Sequence, residues 1–234
     1  MDFEYGLIDA SYDRFFCSLS NFPLYPWIGS NFRSSPSRVY LLGESNYRWA
    51  DTHDVDIQLS NKLFTRYVVA HQGTFHLSNW KGNNGKKYKL FRNTEKLISG
   101  EASMSDKKRE MFWTTKAYSN LVSRIMYNRN DRPTPLDYAE GWASHFKVFR
   151  ELQVDQVVVL GLEWPKRKAF MQACVEYDHL PMVWANTKIG KSTPSFSVIK
   201  FAEGIETKFY FTKHPSGYFP WKQWNRFLLQ NNFH

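Results

Sequence analysis

Cysteine is scarce in this chain. Cys17 and Cys174 are the only two among 234 residues, too few for an iron–sulfur cluster, which needs four thiolates. Cys174 falls in a helical pattern and reads as a buried thiol. No stretch is apolar and long enough to cross a bilayer, and the first residues, with Asp2, Glu4 and Asp9, lack the basic and apolar segments of a secretory leader. The expectation is a cytoplasmic protein in a reducing compartment. Internal repeats and low-complexity tracts are absent too, so a single domain over residues 1–234 suffices. The acidic cluster around Asp51, His53, Asp54 and Asp56 fits no familiar ligand spacing. Turns and helix N-termini use Asp and Thr routinely, and neither metal nor any other cofactor is expected.

Acidic residues are outnumbered. The chain has 31 basic against 22 acidic side chains, a net charge of +9, and a surplus of this size favours a polyanionic partner, nucleic acid first and an acidic membrane surface second. The imbalance is sharpest where Lys81, Lys86, Lys87, Lys89 and Arg92 precede any acid before Glu95. That segment is either a solvated loop or a set of phosphate contacts, with Lys86 and Lys87 the candidates for the second role. Rings are plentiful, with 9 Trp, 13 Tyr and 19 Phe. Most must pack, but some should line a groove where bases can stack.

Residues 1–37 mix aromatics with turn formers and read as an irregular arm held on the domain by its rings. The run Val39-Tyr40-Leu41-Leu42-Gly43 is a continuous apolar strand, covered on both faces, that ends on glycine. Apolar spacing then predicts a helix from Ile57 to about Ala70, an irregular stretch over 73–103, and one helix from Ser105 through Met126. A helix over Tyr138–Leu152 leads to the buried strand Gln156–Leu160, which implies a parallel crossover. A helix from Pro165 to about Tyr177, a short strand over Met182–Ala185, a hairpin of Ser195–Phe201 with Glu206–Phe211, and a helix from Pro220 to Leu229 complete the chain. This alternation predicts an α/β fold, three-layer α/β/α, with a central and mostly parallel sheet.

Ligands of open α/β sheets bind beyond the carboxyl ends of strands. Two such ends carry chemistry: Gly43-Glu44-Ser45-Asn46-Tyr47, and Phe211-Thr212-Lys213-His214-Pro215-Ser216-Gly217-Tyr218. Taken alone, Glu44 can be a solvated loop residue and His214 a loop histidine bonded to backbone. Together and in this order, the two stretches resemble the motifs of the uracil-DNA glycosylase superfamily, over the chain from about residue 38 onward. The resemblance implies a monomeric DNA glycosylase without metal, outside the cluster-bearing branches. Such an enzyme extrudes a base from DNA and hydrolyses its N-glycosidic bond. It implies catalytic roles for Glu44 and His214, with the imidazole bonding the carbonyl oxygen of the leaving base. Ser45, Asn46, Tyr47 and Asn120 would contact the substrate. Asn120 resembles the base-reading asparagine, whose carboxamide suits an amide edge, although a helix-surface or capping role fits it equally. Pro215, Ser216 and Tyr218 would meet DNA, with Phe219 and Trp221 as further rings to wedge into the stack.

The first loop departs from the uracil-specific pattern Gly-Gln-Asp-Pro-Tyr. Ser45 stands where the water-positioning aspartate is expected, so Glu44, Asp51 or Asp54 must serve, or hydrolysis is slow. Asn46 replaces proline, which would shift the wall that Tyr47 forms against larger pyrimidines. The expected substrate is therefore a modified or bulky pyrimidine of the phage type, in DNA repair or in phage defence. The alternatives are a non-catalytic nucleic-acid-binding relative and a hydrolase of a small nucleoside-like metabolite.

Overall fold

The computed structural model describes residues 5–47, 62–70, 89–128, 130–201 and 204–234. In chain order they form α1 (Asp13–Ser18), β1 (Trp27–Ile28), β2 (Val39–Gly43), β3 (Asn46–Tyr47), α2 (Phe64–Val69), α3 (Lys89–Ser99), α4 (Asp106–Thr114), β4 (Lys116–Asn120) and β5 (Ile125–Met126). There follow α5 (Pro135–Glu151), β6 (Gln156–Leu160), α6 (Trp164–Ala173), β7 (Asp178–Trp184), β8 (Ser195–Lys200), β9 (Glu206–Thr212) and α7 (Trp221–Gln230). Among the described residues no helix is long and apolar enough to cross a membrane.

Seven strands make one sheet in the order β1-β4-β2-β6-β9-β8-β7. The four central strands β4, β2, β6 and β9 are parallel, whereas β1, β8 and β7 pair antiparallel at the margins, so the sheet is mixed. Side chains of the central strands alternate between two cores, as a pleated strand requires. Tyr40, Leu42, Val157, Val159, Phe209 and Phe211 meet Trp142, Phe146 and Phe149 of α5 and Phe170 of α6. On the other face Leu41, Val158, Leu160 and Tyr210 meet Phe91 of α3, Trp113 of α4 and Trp224 of α7.

The start of α5 is fixed locally. Thr134 Oγ1 accepts from the Asp137 amide at 3.2 Å while the Asp137 carboxylate accepts from the Thr134 amide at 2.7 Å, and Pro135 opens the first turn. The parallel crossover through α5 and the hairpin of β8 with β9 agree with the sequence pattern.

Three expectations need correction. The apolar positions from Ser105 to Met126 do not continue one helix: α4 stops at Thr114, and Lys116–Asn120 pairs parallel with β2 and antiparallel with β1. The β-branched pair Thr114-Thr115 weakens the helix there, and cross-strand pairing outweighs the helical spacing. The stretch 73–103 contains helix α3, whose apolar face packs on Trp113 and Tyr118. The arm of residues 1–37 is indeed held by buried rings, Phe16, Phe22, Tyr25 and Phe32 among them, but it is not irregular throughout. It carries α1, and β1 extends the sheet. Buried Arg66 of α2 ties the arm down by bonding the Asp13 carboxylate and the Pro26 carbonyl.

Candidate active site

Because β4, β2, β6 and β9 are parallel, their carboxyl ends meet along one edge of the sheet. Four loops therefore converge there from positions far apart in sequence. Gly43 pairs with Asn120, and Leu160 with Thr212. The exits of β2 and β4 stay joined, since the Leu121 and Val122 amides donate to the carbonyls of Gly43 and Glu44 at 3.1 and 2.9 Å. Beyond them β3 and β5 form a second, two-stranded parallel pair. Ser45 and Asn46 are thus held between two pairings rather than in a free loop.

Gly43 owes its identity to space. A Cβ there would lie 2.1 Å from Asn120 Oδ1 and 2.9 Å from Tyr118 Oη. Asn120, placed at a strand end and not on a helix, receives the Tyr118 hydroxyl on Oδ1 at 3.2 Å and donates from Nδ2 to Asn46 Oδ1 at 2.7 Å. Its carboxamide is consequently oriented, with one lone pair and one N–H left for a ligand. Among the described residues Asn46 Nδ2, Ser45 Oγ and Ser123 Oγ are buried without hydrogen-bond partners, a debt that a polar ligand or ordered water would settle. Asn46, Asn120 and Ser123 line a small cleft with Phe22, Pro23 and Leu24 of the arm. It has room for about one water molecule, and neither Glu44 nor His214 belongs to its lining.

Glu44 is buried and fully engaged. Tyr138 donates to Oε1 at 2.9 Å, Arg132 Nη2 to Oε2 at 3.2 Å, and Lys166 Nζ lies 3.7 Å from Oε1. Burial, then the Glu44 charge, pushes the Tyr138 phenol far above its ordinary range. The fully buried Lys166 ammonium is shared with Glu163 Oε2 at 2.9 Å and bonds the Leu160 carbonyl at 3.4 Å. Burial works most strongly against the charge on Glu163, but Lys166, a backbone hydrogen bond and His214 together outweigh it and the Glu163 pKa falls below the usual carboxylate range. Gly161 makes this cluster possible twice over: its φ is +132°, and a Cβ would meet Glu163 Oε2 at 2.4 Å and Lys166 Nζ at 2.5 Å.

His214 follows β9 on the neighbouring loop. Its Nδ1 lies 2.8 Å from Ser216 Oγ and accepts from the Ser216 amide at 3.3 Å. An amide can only donate, so Nδ1 is unprotonated in this arrangement and the proton sits on Nε2. Burial first, and the Lys166 charge next, lower the His214 pKa, while Glu163 and Glu44 raise it in part. The result is a neutral imidazole whose N–H meets no acceptor among the described residues.

The remaining expected residues separate. Tyr47 is half-buried with its hydroxyl 3.4 Å from Arg132 Nη1, outside the cleft lining. Pro215 is buried and its carbonyl accepts from Asn93 of α3 at 2.7 Å, so it anchors the loop instead of facing DNA. Phe219 is core, stacked on Trp224 at 6.2 Å, and Trp221 packs partly against the same cluster. The Phe219 ring is thereby unavailable as a wedge, whereas Trp221 is only half-buried. Ser216 is exposed, and Tyr218 is exposed at 84%. Lys86, Lys87, Asp51 and Asp54 lie outside the described residues.

Sequence reasoning missed Arg132, Tyr138, Glu163 and Lys166. A signal existed for Glu163, since Leu160-Gly161-Leu162-Glu163 repeats the pattern of a buried strand, a glycine and an acid seen at Leu42-Gly43-Glu44. Against protein-family models and curated proteins the chain finds no match.

Proposed function

We propose that this protein is a DNA glycosylase with a uracil-DNA glycosylase-like α/β/α core, in which the four parallel strands carry the machinery. One observation carries the reading: the same sheet edge gathers a fixed carboxylate, Glu44, a neutral imidazole protonated on Nε2, His214, and an oriented carboxamide, Asn120. N-glycosidic cleavage sends the bonding electron pair to the base and leaves positive charge on the sugar. His214 Nε2–H donates to the base oxygen as negative charge develops on the departing base, and the Glu44 carboxylate stabilises the sugar cation until water adds to it. Asn120 reads the amide edge of the extruded base. Entry of a base requires the arm at 22–24 to move away from Asn46 and Asn120, because the cleft is too small in this conformation. Tyr47, held toward Arg132, erects no wall at the cleft, which favours a modified or bulky pyrimidine over plain uracil.

A second reading has one observation in its favour. Both Glu44 oxygens already accept hydrogen bonds, from Tyr138 and Arg132, as they would in a relative that binds nucleic acid without cutting the bond. The deciding experiment is mass spectrometry of bases released from a panel of DNAs, including naturally modified phage genomes, with alkali-induced strand scission as a second readout. Release of one free base is the expected result. Retained DNA binding with no base released from any DNA would establish the second reading instead.

A further inference from the structure

The edge that carries Glu44 and His214 continues past β9. β8 runs antiparallel to β9 and β7 antiparallel to β8, so β7 points the same way as β9 and its last residue, Trp184, emerges at that edge. Trp164 opens α6 just beyond the end of β6. Trp164 is 54% exposed and Trp184 39%, with ring centroids 6.4 Å apart and planes at 32°. Two large indoles side by side at that exposure are an uncommon surface for a soluble protein. The Arg167 guanidinium lies 4.5 Å from the centre of the Trp184 ring, with its Nε and Nη1 buried beside it and no hydrogen-bond partner for either among the described residues. Past Trp184 the connection to β8 adds exposed Lys188 and Lys191, and the sequence holds no acidic residue between Asp178 and Glu203. On the His214 loop, Lys213 stands 5.8 Å from the centre of the exposed Tyr218 ring.

The chemistry of this strip selects its occupant. A β-strand added to the sheet margin is disfavoured, because Pro181 offers no N–H and the β7–β8 register shifts between Leu180 and Val183. Arg167 already feels the Glu163 charge, but an apolar protein surface would leave Lys188 and Lys191 without counter-charges. Unpaired nucleotides supply both requirements, phosphates for the cations and ring faces for the indoles, whereas a duplex hides its base faces.

We propose that Trp164, Trp184 and Arg167 form a stacking platform for unpaired nucleotides running from the active-site edge toward β7, so that the protein prefers single-stranded or locally melted DNA. The inference rests on the nucleic-acid reading above and not on the glycosylase chemistry. Its test is fluorescence anisotropy of the full chain with a labelled oligothymidylate, a duplex of equal length, and heparin as a polyanion without bases, each over a salt series. Trp164→Ala and Trp184→Ala are each expected to weaken single-strand binding by roughly 5- to 100-fold while duplex and heparin binding stay within about twofold. Trp184→Tyr, which keeps a ring, restores most of the loss and guards against a folding defect. Lys188→Gln combined with Lys191→Gln weakens all three and flattens the salt dependence. Equal losses for strand, duplex and heparin in the alanine variants, or no loss for any, overturn the platform. Ring-dependent strand binding in a protein that releases no base upholds the platform and removes the glycosylase reading. Base release from single strands that neither alanine affects does the reverse.

Discussion

Lys166 has no exposed side-chain surface, yet it bridges two acids and its charge acts on an imidazole. Its ammonium, 2.9 Å from Glu163 and 3.7 Å from Glu44, balances carboxylates that would otherwise face each other in a poorly solvated pocket. Removing one partner of a buried ion pair costs about 3–5 kcal/mol, so Lys166→Met should lose stability of that order in urea melts. The same change should alter the acid limb of the rate profile. Burial and the Lys166 charge hold the His214 pKa below its ordinary 6.5, which keeps the imidazole neutral and active to lower pH than an unperturbed histidine. Without the ammonium, and with Glu163 and Glu44 still present, imidazolium becomes easier to form and the acid limb should move to higher pH. An unmoved limb would dissociate Lys166 from His214. Glu44→Gln tests the carboxylate itself. The amide still accepts from Tyr138 or Arg132 but carries no charge, so single-turnover cleavage should fall by about 100-fold or more while DNA affinity changes by less than about threefold. Equal losses in rate and affinity would assign Glu44 to binding alone.

At the scale of elements, glycines decide how closely the pieces approach. Gly43 lets Asn120 lie across the end of β2, whereas Gly141 lets α5 press on the loop after β4, where a Cβ would come within 2.4 Å of the Leu121 carbonyl oxygen. A side chain can turn aside and a packed carbonyl cannot. Gly141→Ala should therefore destabilise the fold by several times as much as Gly43→Ala, which should act mainly by displacing Asn120 and raising KM. Thermal melts of the two variants, read beside their KM values, check the contrast, and comparable melting points would refute it. The same distinction between local and distant contacts explains what the sequence made legible. β2 and β6 announced themselves because a strand covered on both faces is apolar throughout, and α5 because Trp142, Phe146 and Phe149 recur on one helical face, although the pattern starts it at Tyr138 and does not display the Thr134–Asp137 cap that opens it at Pro135. β4 did not: Ala117, Leu121, Val122, Ile125 and Met126 suit a helix, and only pairing with β2 makes Lys116–Asn120 extended. Helix α3 was obscured by its cations. Arg92 answers Glu95, and Glu95 accepts from the Trp113 indole at 3.0 Å, a partnership with α4 that no local pattern displays. Glu44 and His214 stood out at strand ends, but their partners Arg132, Tyr138 and Lys166 lie on other elements and came together only with the fold.

For the whole molecule, a buried polar chain joins the sheet to α5 and makes stability respond to acid. Tyr40 donates to Ser119 Oγ at 2.8 Å, Ser119 Oγ lies 2.8 Å from His145 Nε2, and His145 Nδ1 lies 2.8 Å from the Gly141 carbonyl. A carbonyl only accepts, so the ring proton is on Nδ1, and Nε2 accepts from the serine. The ring is neutral and fully buried. Burial, opposed in part by the Gly141 bond, lowers its pKa from 6.5 to about 4. On unfolding, His145 regains its ordinary affinity for a proton, so between these values the unfolded chain binds more protons than the folded one. Stability is therefore complete above about 6.5 and declines as pH falls toward 4, by about 3 kcal/mol from this residue. His145→Gln keeps an acceptor for Ser119 and a donor for Gly141 but cannot titrate. Urea melts across that range should show the wild type losing stability more steeply than the variant. Parallel stability curves for the two proteins would mean that the buried imidazole does not govern acid unfolding.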